Sequence, residues 1–225
     1  MTLSPLVTTA VEVPGGRVTL VVDPIDGAVV ASGFADLDTV LALLSDADLG
    51  RGHEPGAPHE EPLVHAVAAL EAYARGTLNA LDHVVVRQPG GPFLQRAWLE
   101  LRAIKAGHTD TYAGLAERAG SPAAVRAAGQ ACARNKVAPF VPCHRVLRST
   151  GAIGGYAWGP DRKRVMLALE RIQRVEHATP AAPASVSGDY AHVAIRYKRP
   201  DADESRLIEA SIDPSRELGS VAEAP

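Results

Sequence analysis

At 225 residues, with 46% apolar and 22% charged residues, the chain has the composition of an ordinary soluble protein and enough length for one large domain or two small ones. That excludes disorder over most of its length. No run approaches the roughly 18–20 apolar residues of a membrane span, and the opening MTLSPLVTTAVEVPGG lacks the basic region and apolar core of a secretory signal, so the cytosol is the expected compartment.

From the start, VTTAVEV and RVTLVVD alternate apolar and polar residues around Pro14-Gly15-Gly16, which predicts a hairpin. AVVASGF reads as a third strand, and Asp36 can cap a helix carrying Val40, Leu41, Leu43 and Leu44. Ser45 to Pro62 is polar and rich in Gly and Pro, so a mobile loop is expected there. LVHAVAALEAYARG predicts a helix closing at Gly76, HVVVRQ a further strand, and the PGG at 89–91 a boundary.

Beyond that boundary the charge changes. The formal net charge is −3, yet Phe93 to Val175 holds 14 Lys/Arg against 5 Asp/Glu, a balance of +9 between acidic flanks. Such a block suits a polyanion, or is simply a solvated basic face. FLQRAWLELRAI has helical spacing, with Phe93, Leu94, Trp98, Leu101 and Ile104 on one face. HTDTYAGLAERAG follows, with Thr109 or Asp110 as N-cap and Gly120 as terminator; SPAAVRAAGQACARN then offers Ser121 as N-cap and Pro122 at the first helical position. Two short helices joined by Gly-Ser-Pro fit a helix-turn-helix or any αα-hairpin. The second is nearly bare, with Ala127, Gly129 and Ala131 among its small residues and Arg126 as the one long side chain before Gln130. A bare helix can approach another backbone, or a DNA groove, very closely, and on the second reading these four residues are candidates for DNA contact.

The glycines at 151, 154, 155 and 159 predict a tightly turned segment. DRKRVMLALE reads as a helix with Asp161 near its start and Val165, Met166 and Leu169 inward; Arg162, Lys163 and Arg164 would reach phosphates or face solvent. Last, ATPAAPASVSG reads as a linker, and HVAIRYKRP with SRLIEASID as a hairpin across DADE.

Two cysteines, Cys132 and Cys143, cannot make a disulfide framework or a four-cysteine zinc site, and no HExxH spacing occurs among the eight histidines, so no metal is expected. Cys143 lies in VPCHRV. A free thiol is mostly protonated at neutral pH and needs a base to react. His144 is adjacent but would point away on an extended segment, so the pair would communicate through a water or a bend, with Glu170 able to orient the imidazole. On residue types alone, Cys143 is as well explained by burial as by reactivity. Cys132, on the small-residue helix, reads as a packing residue.

PCHRV, preceded by Asn135-Lys136 and followed by GYAWGPDRKRVMLALE, resembles the active-site domain of the O6-alkylguanine-DNA alkyltransferases, most closely the bacterial adaptive-response branch. The resemblance runs from Phe93 to Glu170, and a weaker one covers RVTLVVD and LEAYARG. It implies an α/β (α+β) protein: an N-terminal α/β ribonuclease H-like domain at 1–90, a winged-helix/helix-turn-helix domain at 91–175 that binds DNA and accepts the alkyl group, and an acidic tail at 176–225. The implied function is DNA repair without a cofactor. An alkyl group passes from O6-alkylguanine (or O4-alkylthymine) in double-stranded DNA, flipped out of the helix, to Cys143 in a single turnover by a monomer. His144 would be the base acting through water, Glu170 its anchor, Asn135 the brace of the turn, and Tyr112 the donor to the departing guanine. Tyr156 would line the base pocket, backbone groups near Cys143 and Val146 would read the base edge, and Arg126 would fill the gap in the stack. Arg145 would pair locally to hold the turn.

Three departures stand out. His108 occupies a position that is often acidic in the family. No cysteine precedes Cys132, so a cysteine-containing N-terminal zinc site cannot assemble. A methyl-phosphotriester-sensing domain has no counterpart in the sequence.

Overall fold

Two consecutive positive-φ glycines, Gly15 at +99° and Gly16 at +121°, turn the chain where most side chains would be strained. They close the expected hairpin: β1 (Leu6–Val13) runs antiparallel to β2 (Gly16–Val22), with Val13 opposite Gly16. β3 (Val29–Gly33), buried throughout, pairs antiparallel with β2. This is a computed structural model, and it describes residues 3–177, 191–198 and 205–212.

The stretch from Ser45 to Pro62 is not the mobile loop its composition suggests. Ser45 accepts from the Asp48 amide and caps a one-turn helix, α2 (Asp46–Leu49). β4 (His53–Pro55) then lies parallel to β1, giving the sheet order β3-β2-β1-β4. Pairing with β1 satisfies the backbone here, and Gly/Pro content carries no signal of such a distant partner. The preceding helix, α1 (Leu37–Leu41), is capped by Asp36 as expected, but it ends before Leu43 and Leu44.

α3 (Val64–Ala74) packs on β1 and buries Val67, Leu70 and Tyr73, and Gly76 follows at φ +109°. HVVVRQ forms no full strand. It opens from a 3₁₀ turn, Ala80–His83, and only Val86 bridges to Val29, the Val29 amide donating to the Val85 carbonyl. Behind this edge, Arg51 pairs through two nitrogens with Asp23 and Arg87 adds a third bond, so the Asp23 carboxyl sits well below the usual carboxylate range.

α4 (Pro92–Ala103) starts on Pro92 as a helix should and buries Ala97, Trp98 and Leu101, with Phe93 and Leu94 half-buried beside them. The N-cap of α5 (Tyr112–Arg118) is Thr111, whose hydroxyl accepts from the Gly114 amide. Thr109 and Asp110 do not serve, because Asp110–Thr111 is drawn into a two-residue strand, β5, parallel to β6 (Val146–Leu147). Gly120 ends the helix at φ +77°. Ser121 to Ala124 then make a turn, the Ala124 amide donating to the Ser121 carbonyl, so α6 (Val125–Ala133) begins later than Ser121-Pro122 suggested.

α7 (Pro160–His177) turns Met166 and Leu169 into the core, with Val165 half-buried. β7 (Ala191–Lys198) and β8 (Ser205–Ile212) pair antiparallel as the hairpin reading expected; the DADE turn and the ATPAAPASVSG linker lie outside the described residues. The architecture is the mixed α/β class expected, and one hydrophobic cluster runs from Val7 on β1 through Cys143 to Leu169 on α7. Among the described residues, no helix is long and apolar enough to cross a membrane.

Candidate active site

Cys143 does not lie on an extended segment. Residues Cys143–Arg145 form a 3₁₀ turn, in which the Cys143 amide donates to the Val141 carbonyl and the Arg145 amide to the Pro142 carbonyl. Cys143 is buried, with 5% of the residue exposed.

The turn is braced from in front by Asn135. Its amide nitrogen donates both to the Val141 carbonyl at 2.7 Å and to Cys143 Sγ at 3.1 Å, while its oxygen accepts from the Val137 amide and from Gln88 Nε2. Gln88 also accepts from the Lys136 amide, and β3 clamps the same segment. The Ser32 amide donates to the Lys136 carbonyl and the Ser32 hydroxyl to the Ala138 carbonyl. Gln88 and Ser32 carry no motif; only the folded sheet brings them here.

Behind the turn, Glu170 is a hub. His144 Nε2 lies 3.0 Å from its Oε1, Arg145 reaches both carboxylate oxygens, Tyr73 donates its hydroxyl to Oε1 at 2.9 Å, and the Gly107 amide donates to Oε2. Arg145 also donates to the Ile104 carbonyl, which makes it the local clasp expected of it. Because an ionised carboxylate only accepts, Nε2 carries the proton and Nδ1 is the free lone pair. Nδ1 is buried and has no hydrogen-bond partner among the described residues.

The electrostatics follow from burial. Desolvation pushes the Cys143 thiol up, opposed by the Asn135 donor and the nearby Lys163 charge. Desolvation likewise holds His144 below its ordinary value, against the pull of Glu170. For Glu170, burial works upward but is outweighed by His144 and Arg145, which keep the carboxyl well below the usual range. At rest, therefore, thiol and imidazole are both neutral while Glu170 and Arg145 are charged.

Lys163 corrects a sequence expectation. It neither reaches phosphates nor faces solvent: it is 0% exposed and donates to the Val146 carbonyl at 2.6 Å and the Ile153 carbonyl at 2.5 Å. Desolvation lowers its amine to about 8. It thereby ties the turn after Cys143 to the glycine-rich segment. Arg162 and Arg164 remain on the surface, and Arg164 pairs with Asp161.

The glycine-rich segment supplies the site's rim. Gly154 has φ +67°, and a Cβ built there would lie 3.5 Å from the Tyr112 hydroxyl. Tyr112, half-buried on the first turn of α5, has its phenol raised mainly by burial. Tyr156 meets His144 edge-on with ring centroids 6.5 Å apart. Trp158 packs flat against β3, where a Cβ on Gly33 would fall 2.0 Å from its ring.

On α6, Arg126 is exposed and Ala127 and Gly129 are half-exposed. Ala131 is not on that surface. It is 0% exposed, and its carbonyl accepts from Trp98 Nε1, so its small side chain serves close packing on α4 and offers DNA nothing to touch. Val146 is also buried, its amide bonded to the Cys143 carbonyl and its own carbonyl to Lys163. Its side chain belongs to the core and its amide is spent; what it can still present is the second lone pair of that carbonyl. Cys132 packs against the core cluster, with its thiol raised by burial. No group of three metal-ligating side chains occurs among the described residues.

A basic helical domain around a buried thiol, with a neutral imidazole poised on a carboxylate beside it, defines a cysteine-dependent enzyme acting on a polyanion. Residues 92–172 match the family model for the DNA-binding domain of 6-O-methylguanine DNA methyltransferase. The methylated-DNA–protein-cysteine methyltransferase of Mycobacterium tuberculosis H37Rv is 36% identical over 149 residues, covering 64% of this chain and 87% of that one. The protein of that name from Mycolicibacterium paratuberculosis is 43% identical over 106 residues, covering 47% of this chain and 64% of the relative, a little under two thirds of its length. The Escherichia coli transcriptional activator/DNA repair enzyme Ada is 48% identical over 81 residues, 36% of this chain and 23% of Ada. A crystal structure of M. tuberculosis OGT in complex with DNA superposes with a TM-score of 0.61 at 30% identity, covering 74% of this chain and 94% of that one. The chain belongs to the family of methylated-DNA–protein-cysteine methyltransferases, enzymes of direct DNA repair.

Proposed function

We propose that Cys143 is the acceptor that takes an alkyl group, methyl in the simplest case, from O6 of guanine in double-stranded DNA, and from O4 of thymine in the same way. His144 Nδ1 takes the thiol proton, relayed by a water molecule. The thiolate attacks the alkyl carbon in line; the S–C bond forms as the C–O bond breaks, and guanine departs with the electron pair. Tyr112 donates a proton to the departing base. Glu170 steadies the imidazolium formed at His144, and Asn135 holds the sulfur in place.

The target base must leave the stack to reach a thiol this enclosed, at a cost of a few kcal/mol. Arg126 fills the vacated space, and Ala127 and Gly129 allow the helix to come close. Tyr156 lines the pocket for the extruded base, whose edge is read by the Cys143 and Val146 carbonyls. S-alkylcysteine has no route back to a thiol within the site, so each molecule acts once, as a monomer, without a cofactor, in the cytoplasm. The division into 1–90, 91–175 and 176–225 is part of the same reading; α7, running to His177, crosses its last boundary.

The observation that carries the proposal is the Asn135–Cys143 contact set beside the His144–Glu170 pair. Intact-mass measurement after mixing with an O6-methylguanine duplex tests it. A gain of one methyl group, mapped to Cys143 and absent from Cys143→Ala, is expected. No adduct, or an adduct on Cys132, would refute it.

A further inference from the structure

Tyr73 lies on α3, 97 residues before Glu170 and outside the stretch that matches the family's DNA-binding domain. It is 0% exposed, and its hydroxyl donates to Glu170 Oε1, the same oxygen that faces His144. A buried tyrosine hydroxyl needs a partner, and the choice of this oxygen has a consequence. The negative charge on Oε1 is what would favour a proton on His144, and Tyr73 shares that charge.

We infer that Tyr73 is a positioning residue for the alkyl transfer, supplied by the N-terminal α/β part: its hydroxyl fixes the Glu170 carboxylate against His144 and limits how strongly that carboxylate retains a proton on the imidazole. The inference rests on the proposed role of His144 as base. Other groups face the pair from several elements. Arg145 from the turn bonds Glu170, and Lys163 from α7 opposes a charge on His144. Tyr156 meets the imidazole from the glycine-rich segment, and the Gly107 amide completes the second carboxylate oxygen. Asp82, from the turn after α3, acts on Arg145. Trimming Tyr73 to Phe removes its bond to Oε1 without adding or removing a full charge near His144.

The test is Tyr73→Phe in the full chain. With the hydroxyl gone, Oε1 holds His144's proton more strongly, and the imidazole midpoint moves up by about one to two units, the scale of one hydrogen bond to a charged group. The acid limb of the single-turnover rate moves to higher pH by the same amount, because a protonated His144 cannot accept the thiol proton. A ring-fluorinated tyrosine placed at 73 is a stronger donor, keeps the ring, and moves both midpoints down. Titration of isotope-labelled histidine by NMR reads His144 without any transfer reaction. If the parent protein fails to methylate Cys143, the proposed function falls and the NMR shift still decides this inference. An unmoved His144 midpoint in both variants, or a change in rate with no change in the pH profile, overturns it.

Discussion

A single amide nitrogen, Asn135 Nδ2, holds both the buried thiol and the backbone that carries it: it lies 3.1 Å from Cys143 Sγ and 2.7 Å from the Val141 carbonyl. One donor thus positions the sulfur and favours its charged form. Asn135→Ala leaves the Val137 amide without its buried partner, takes one of two donors from the Val141 carbonyl and leaves the thiolate without its donor. Stability should fall by about 1–3 kcal/mol, and the transfer rate by tenfold or more, on the order of one charge-assisted hydrogen bond. Chemical denaturation and single-turnover kinetics check the two parts separately.

Acid should weaken the protein in two separate steps. His144 has a folded pKa below its ordinary 6.5, so between those values the unfolded chain binds more protons; the stability His144 confers is complete above 6.5 and lost as pH falls below it. Glu170 and Asp23 are also depressed, from 4.5 and 3.8, and their contributions are lost only as pH falls below those ordinary values. Denaturation measured from pH 8 to pH 3 should show both slopes, and His144→Gln should remove the first and reduce the second, since His144 helps hold Glu170 down.

Arg126 is exposed on α6, so Arg126→Ala should change stability by no more than about 0.5 kcal/mol. Transfer from an O6-methylguanine duplex should slow by an order of magnitude or more, the worth of a wedge against a stacking cost of a few kcal/mol. Transfer from the free alkylated base, which needs no extrusion, should be unchanged. Equal loss on both substrates would remove Arg126 from that role.

Gly33 has no room for a side chain, since a Cβ would meet the Trp158 ring at 2.0 Å. Gly33→Ala should push Trp158 and the glycine-rich segment outward, destabilise by about 1–3 kcal/mol through overpacking, and slow transfer although it touches no reacting atom. Hydrogen exchange at 151–159 should rise in the variant.

The chemistry was legible where it is local. VPCHRV, the Asn-Lys pair and the spacing to Glu170 point to the thiol and its partners, and Asp36, Gly76 and Gly120 punctuate the chain as their residue types dictate. What escaped is non-local. Lys163 sits in a basic run that reads as surface, and it is buried because two carbonyls, of Val146 and Ile153, converge on its amine. Ala131 looks like part of a bare DNA-facing helix, yet the same small size serves contact with Trp98. The valine run of HVVVRQ suits a strand, but a bridge forms at Val86 alone among the described residues. In each case the deciding group lies far along the chain.

Ser32 on β3, Gln88 and Tyr73 on α3 grip the reaction centre at three points, two in front of the thiol and one behind it. A shortened protein starting at Pro92 would retain Cys143, His144, Asn135 and Glu170 together with the matched stretch at 92–172, and so look like a complete minimal enzyme on paper. It would in fact be missing the hydroxyl behind Glu170 and the clamps on the Lys136–Ala138 segment, leaving buried polar groups to find water. The part of the chain with no nucleophile is as much a piece of the reaction vessel as the part that has one.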